Sequence, residues 1–338
     1  MELILTRLRF TCTALETIEL PAYSGSAWRG VLGHGLRGAV CVTRQPRCDD
    51  CLLLAQCVYP RLFEALPAGP ATSTSVNPAR YRAPPPPYVL EVADQQPRAI
   101  APGADLTLGL TLIGSVNAAT LPAYLIAALQ RAGTRGLGRA RGRFAVATLA
   151  QERSAGSDDW MPIYRAADGR LHPCQPTTRP PPPCPEQVQL ELITPLRLKH
   201  RGRLIGPRHL RAADIARALL SRLALLAACH EPQAATPDWA ALHRAAAELS
   251  LHHPRLRWQD WTRWSSRQGT SMQLGGLLGS VDLAGPALPR LWPLLWLGQW
   301  THLGKGTSFG LGGYRLHRAE PAGPTAAAAA DPPQPCRR

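Results

Sequence analysis

The chain runs to 338 residues with 45% apolar content, a length that allows two domains with separate cores. Its net charge of +15 favours a polyanion, above all a phosphate backbone, as ligand. No stretch approaches the ~18 uninterrupted apolar residues of a membrane span, so no membrane partner and a cytoplasmic location are expected.

Residues 1–10 alternate apolar and polar side chains and predict a strand rather than a signal peptide. A helix is predicted over 25–40, unusually rich in glycine. Each internal glycine costs a helix roughly 0.8–1 kcal/mol against alanine, so this helix is expected to pack closely on something. Cysteines and prolines make 41–87 an irregular insertion. Strands at 88–92 and 105–113, a helix at 118–132, a glycine loop and a strand at 143–149 complete a β-α-β-β-α-β order, the ferredoxin-like pattern. The polar, proline-rich stretch 151–184 reads as a linker. The second half repeats the plan with a strand at 187–199, helices at 212–230 and 240–251, and strand-like runs at 270–274 and 277–283. A helix at 291–300, a second glycine loop and a strand at 314–317 close it, and 321–338 has the composition of a disordered tail. The expected fold is α+β, with tandem ferredoxin-like (RRM-like) domains at 1–150 and 185–320.

The two glycine loops are Thr134-Arg-Gly-Leu-Gly-Arg-Ala-Arg-Gly-Arg-Phe144 and Leu303-Gly-Lys-Gly-Thr-Ser-Phe-Gly-Leu-Gly-Gly-Tyr314. Each follows an apolar helix and leads into a strand, which suggests one unit used twice. Glycine lets a second backbone approach closely, and a polyanion backbone is the expected visitor. Neither loop is a nucleotide motif. The dinucleotide fingerprint fails because position 309 is Phe and Gly310 comes one residue late, and the P-loop fails because Lys305 is followed by Gly306. On the first loop Arg135 adds charge, and Arg139, Arg141 and Arg143 alternate so that they can track a backbone along one side. The plainer alternative is a solvated strand face. Trp258, Trp261 and Trp264 recur every three residues, a spacing more typical of a core stripe than of a base-stacking platform; Arg263 and Arg267 beside them can touch RNA.

Nine cysteines in a chain expected in the cytosol suggest metal or free thiols before disulfides. Cys41, Cys48, Cys51 and Cys57 are compact enough to close around one ion, although only the Cys48/Cys51 pair has zinc-knuckle spacing. A structural zinc held by all four is the preferred reading; an iron–sulfur cluster, free thiols or a disulfide remain alternatives.

The second half, in Trp261-Thr-Arg-Trp-Ser-Ser-Arg-Gln268, Met272-Gln-Leu-Gly-Gly-Leu-Leu-Gly279 and His302 to Tyr314, resembles the C-terminal region of CRISPR precursor-crRNA processing endoribonucleases of the RAMP superfamily. The first half resembles them in Trp28-Arg-Gly-Val-Leu-Gly-His-Gly-Leu-Arg37 and in 136–144. The likeness covers most of 1–320, and 261–314 is its specific part. It implies paired ferredoxin-like domains whose glycine loops lie against RNA. It also implies one metal-independent cut per CRISPR repeat, leaving a 2′,3′-cyclic phosphate and a 5′-hydroxyl. The implied partners are repeat RNA or crRNA and subunits of a CRISPR effector complex.

Several relatives place a catalytic histidine in the glycine-rich first helix, which makes His34 the first candidate for general base or acid; its plainer alternative is a packing or surface role. Arg37, three residues on, shares roughly the same helix face and suits stabilisation of a phosphorane, with Arg29 as an RNA contact. Lys305 lies in the loop expected to face phosphate and is read as a phosphate binder or transition-state stabiliser. Gly304, Gly306, Ser308 and Gly310 are read as RNA contacts in the same loop. His302 is a rival base and RNA contact, unless it merely satisfies carbonyls at a helix end. Acidic residues are few near the loops, which disfavours a two-metal nuclease. Two rival functions stand beside the nuclease: a non-catalytic RAMP subunit that holds crRNA, and a zinc-dependent RNA-modifying enzyme.

Overall fold

The computed structural model of the chain describes residues 3–64, 84–92, 96–172, 179–265 and 270–318. The expected tail at 321–338 and part of the expected insertion lie outside the described residues. In chain order the first half holds β1 (Leu5–Ala14), β2 (Ile18–Leu20), α1 (Gly25–Val40), α2 (Val58–Phe63), β3 (Tyr88–Glu91), β4 (Arg98–Ile100), β5 (Asp105–Ile113), α3 (Ser115–Arg135), β6 (Phe144–Glu152) and β7 (Trp160–Arg165). The second half holds β8 (Gln187–Leu196), β9 (Lys199–His200), β10 (Arg203–Leu204), α4 (Ala212–His230), α5 (Trp239–Ala245), β11 (Ser250–Gln259), β12 (Thr262–Ser265), β13 (Thr270–Gln273), β14 (Gly276–Ala284), α6 (Leu288–Thr301) and β15 (Tyr314–Arg318).

Strand order in the first main sheet is β3-β5-β1-β6-β7, and in the second β11-β14-β8-β15. Taken by position in each half, the second sheet and the first four strands of the first have the same order, and all their pairings are antiparallel. The chain is therefore a tandem ferredoxin-like fold. Alternation makes β1 a central strand: Leu8, Phe10, Cys12 and Ala14 are buried on one side. In α1, Trp28, Leu32 and Leu36 recur every four residues and are fully buried, each worth about 1.5–3 kcal/mol. A methyl group at Gly35 would run into the Ala128 carbonyl oxygen, so this glycine allows α1 and α3 to cross closely.

Strands β7 and β11 depart from the sequence expectation. Strand β7 adds to the edge of the first sheet inside the stretch 151–184 that composition assigned to a linker. Strand β11 occupies 250–259, where the predicted helix 240–251 had encroached; helix α5 ends at Ala245, followed by a 3-10 turn at Ala246–Glu248. Pro254 and the bulge between His252 and Arg255 mask β11 in the sequence, and both are tolerated because it is an edge strand.

The halves share a junction. Leu3, Leu5, Val89 and Ile113 from the first half belong to the apolar core of the second. The Ser115 N–H and hydroxyl donate to Glu231 at 2.7 and 2.8 Å, placing a carboxylate at the N-terminus of α3. Arg7 pairs with Glu91 and Glu152, each at 2.6 Å. Burial alone would raise the Glu91 carboxyl, but Arg7 and the Thr111 hydroxyl bring it down to about 2.

Candidate functional site

The face of α1 opposite its buried stripe carries Ser26, Ala27, Gly30, Val31 and His34, a run at helical spacing whose small side chains leave open space above them. Together with β2 and the first glycine loop, this face walls a cleft of about 810 Å³. His34 is exposed on its wall, Arg139 is exposed on the glycine loop, and Trp261 enters from the second half. Trp261 packs on Tyr23 with ring centroids 4.8 Å apart. The Tyr23 hydroxyl donates to the Phe309 carbonyl at 2.7 Å, and burial pushes its phenol far above the ordinary value, so it stays protonated. Glu19 is the one carboxylate among the described residues that line the cleft.

At two positions the glycines of these loops meet the protein's own backbone. A methyl at Gly138 would strike the Glu19 carbonyl oxygen, and one at Gly310 would crowd the Leu90 carbonyl. These glycines let protein backbone lie on protein backbone, which docks the first loop on β2 and the second on β3. In the second loop Thr307, Ser308, Gly310 and Leu311 are buried, Gly304 and Gly306 are half-buried, and Lys305 stands out exposed. The Lys305 N–H donates to the Arg197 carbonyl at 3.0 Å. That contact places Lys305 beside the β9–β10 hairpin, where Lys199, His200, Arg201 and Arg203 are all exposed. Sequence reading missed this basic hairpin: the predicted strand at 187–199 stops at its first residue, and no element was predicted between 200 and 211.

Several other candidates are engaged elsewhere. The Arg37 guanidinium donates to the Gln45 and Pro46 carbonyls, the latter at 2.8 Å, and so ties down the cysteine segment instead of joining His34. Arg29 is held between two rings, 5.1 Å from Phe63 and 4.8 Å from Phe309, at the junction of the halves. His302 is buried at the C-terminal cap of α6, its Nδ1 3.2 Å from the Leu311 carbonyl. Burial, with Arg222 nearby, lowers it to about 4, so it is a neutral structural residue. Arg143 is ion-paired to Glu16 at 2.8 Å. Arg135 and Arg141 are exposed, and Arg141 has a positive φ of 53°, which breaks the expected alternation. Arg263 falls on β12, and Arg267 lies outside the described residues. Trp258 is partly buried against the second core, as the spacing predicted, whereas Trp261 turns to the cleft.

Cys41, Cys48, Cys51 and Cys57 line one small cavity at the far end of α1. As these side chains stand, no three His, Cys, Asp or Glu residues among the described residues are grouped to hold a metal ion. No described helix is long and apolar enough to cross a membrane.

Comparison with known proteins follows the same division of the chain. A family model described as an N-terminal domain matches residues 3–176, and the model of CRISPR-associated endoribonuclease Cas6 matches residues 190–314. Among solved structures, a Cas6 product complex aligns with TM-score 0.53 at 17% identity over 93% of this chain and 99% of that one. A partial Cas6-RT-Cas1–Cas2 complex gives TM-score 0.56 at 15% identity over 94% and 46%. Thermus thermophilus Cas6 gives 0.50 at 15% identity over 94% and 100%. No curated protein sequence matches the chain. Residues 190–314 thus match the CRISPR-associated endoribonuclease Cas6 family, and the chain as a whole shares its fold with solved Cas6 structures.

Proposed function

We propose that the chain makes one cut in each CRISPR repeat by attack of the 2′-hydroxyl on the adjacent phosphorus, with no metal taking part. The new O–P bond closes a 2′,3′-cyclic phosphate, the bond to the 5′-oxygen breaks, and that oxygen leaves as a 5′-hydroxyl. One proton must leave the 2′-oxygen and one must reach the 5′-oxygen, work that an imidazole performs near neutral pH. His34 is the imidazole in the cleft. Arg139, on the facing loop, supplies positive charge to the phosphorane, and Trp261 offers an aromatic face to an unpaired base. Lys305 and the exposed β9–β10 hairpin form a second basic surface for the phosphate backbone.

The observation that carries this reading is that His34, Arg139 and Trp261, from three separate parts of the chain, line the same cleft of about 810 Å³. The likeness to a Cas6 product complex supports repeat RNA as the ligand, and the likeness to a Cas6-RT-Cas1–Cas2 complex supports work beside other CRISPR proteins. The test is purified protein with repeat RNA in EDTA, followed by end-group analysis. Cleavage with cyclic-phosphate and 5′-hydroxyl ends is expected. A requirement for added divalent ions, or 5′-phosphate ends, would overturn the mechanism; tight binding with no cut would make the chain a crRNA-holding subunit.

A further inference from the structure

From 41 to 59 no residue is buried, although the segment projects from the end of a well-packed helix. Apart from Leu54, Val58 and Tyr59, the only residues sheltered from solvent in that stretch are its four cysteines, at 41, 48, 51 and 57. All four line the same cavity, with Tyr59 and Arg47 among its other walls.

The backbone positions of the four are set locally. Cys41 caps α1, its N–H donating to the Arg37 carbonyl at 3.0 Å. Cys48 and Cys51 bracket a tight turn closed by the Cys51 N–H on the Cys48 carbonyl at 3.0 Å. Cys57 immediately precedes α2, its N–H bonded to the Leu53 carbonyl at 2.9 Å. One hydroxyl, that of Thr43, lies 3.4 Å from the Cys51 sulfur and 4.0 Å from the Cys41 sulfur. The guanidinium of Arg37 pins the intervening loop through the Gln45 and Pro46 carbonyls. A segment that buries no apolar side chain cannot repay the entropy of ordering its backbone, about 1–2 kcal/mol per residue. A thiolate-bound metal is the usual remedy in such modules.

We infer that Cys41, Cys48, Cys51 and Cys57 bind one zinc ion as a tetrathiolate staple that orders residues 41–59 and is separate from the cleavage cleft. Closing on the ion requires the thiols to turn inward toward the shared cavity and to lose their protons. The closed site then carries two negative charges, with the Arg47 side chain at its wall and Arg37 fixed to its loop.

The test uses the full chain. Purified protein is expected to carry about one zinc per chain, and replacement with cobalt is expected to give the visible and sulfur-to-metal bands of a tetrahedral tetrathiolate. Removal of the ion by a strong chelator is expected to abolish hydrogen-exchange protection in 41–59 while leaving that of the sheets intact. Cys48→Ser and Cys57→Ser are expected to lose the metal, whereas Cys229→Ser, on α4, keeps it. Absence of metal after refolding with zinc, a cobalt spectrum without thiolate bands, or undiminished zinc in Cys48→Ser would overturn the assignment. Iron with inorganic sulfide, or two disulfides in the segment under non-reducing mass analysis, would do so equally.

Discussion

Two buried histidines make the stability of the junction between the halves depend on pH. His302 caps α6 beneath the second glycine loop, and His230 at the end of α4 bonds the Pro85 carbonyl at 2.7 Å. Burial lowers both to about 4. At His302 Arg222 adds to that effect against the pull of Glu91, and at His230 Arg61 and Arg222 add to it against Glu231. An unfolded histidine takes its proton below about 6.5. Between pH 6.5 and 4 the unfolded chain therefore binds more protons than the folded one, and stability falls as pH falls. Full stability is present above about 6.5. By pH 4 the loss is on the order of 3 kcal/mol per histidine, a large fraction of the ~5–15 kcal/mol that holds a typical domain. Glu91 acts in a lower window, because its carboxylate survives to about 2 and its contribution is lost only below the ordinary carboxylate range. Urea midpoints measured from pH 7.5 to 4.5 should fall steeply in the wild type. The slope should be roughly halved in His302→Gln and nearly removed when His230→Gln is added. An unchanged slope in the double variant would refute the reasoning.

Three shorter predictions follow from the same geometry. Gly25→Ala places a methyl against the Phe309 carbonyl oxygen at the docking point of the second loop, and should lower the urea midpoint by the equivalent of about 1–3 kcal/mol. Gly30, on the same helix, has nothing within 4 Å of an added Cβ, so Gly30→Ala should raise stability by up to about 1 kcal/mol in the same assay. Arg139→Ala and Lys305→Ala should each weaken repeat-RNA binding and reduce the slope of log affinity against log salt by about 0.7–0.9, read by filter binding across a salt series.

Much of the architecture was legible in the sequence because periodicity and turn chemistry agreed. Helices at Gly25–Val40 and Ala212–His230 and the strand at Asp105–Ile113 stand where the pattern placed them. Strand β11 was not legible, since an exposed edge strand with a proline and a bulge lacks alternation. The glycine loops were found, but what each glycine meets was not legible: a glycine at a close backbone approach looks the same whether the visitor is RNA or the protein's own carbonyl, as at Gly138 and Gly310. For the same reason Arg29, Arg37 and His302 looked like site residues, although their partners, Phe309, Pro46 and Leu311, lie far away or in another element. His34 and Arg139 lie about a hundred residues apart, and only the docking of the first loop on β2 brings them to one cleft.

The central claim is that this cleft is where the repeat is cut, and single-turnover cleavage by His34→Ala tests it most directly. His34 is exposed and packs in no core, so the variant should fold and bind repeat RNA as the wild type does while its cleavage rate drops by about 10²–10⁴-fold. Cleavage by His34→Ala at the wild-type rate, with binding intact, would contradict the account.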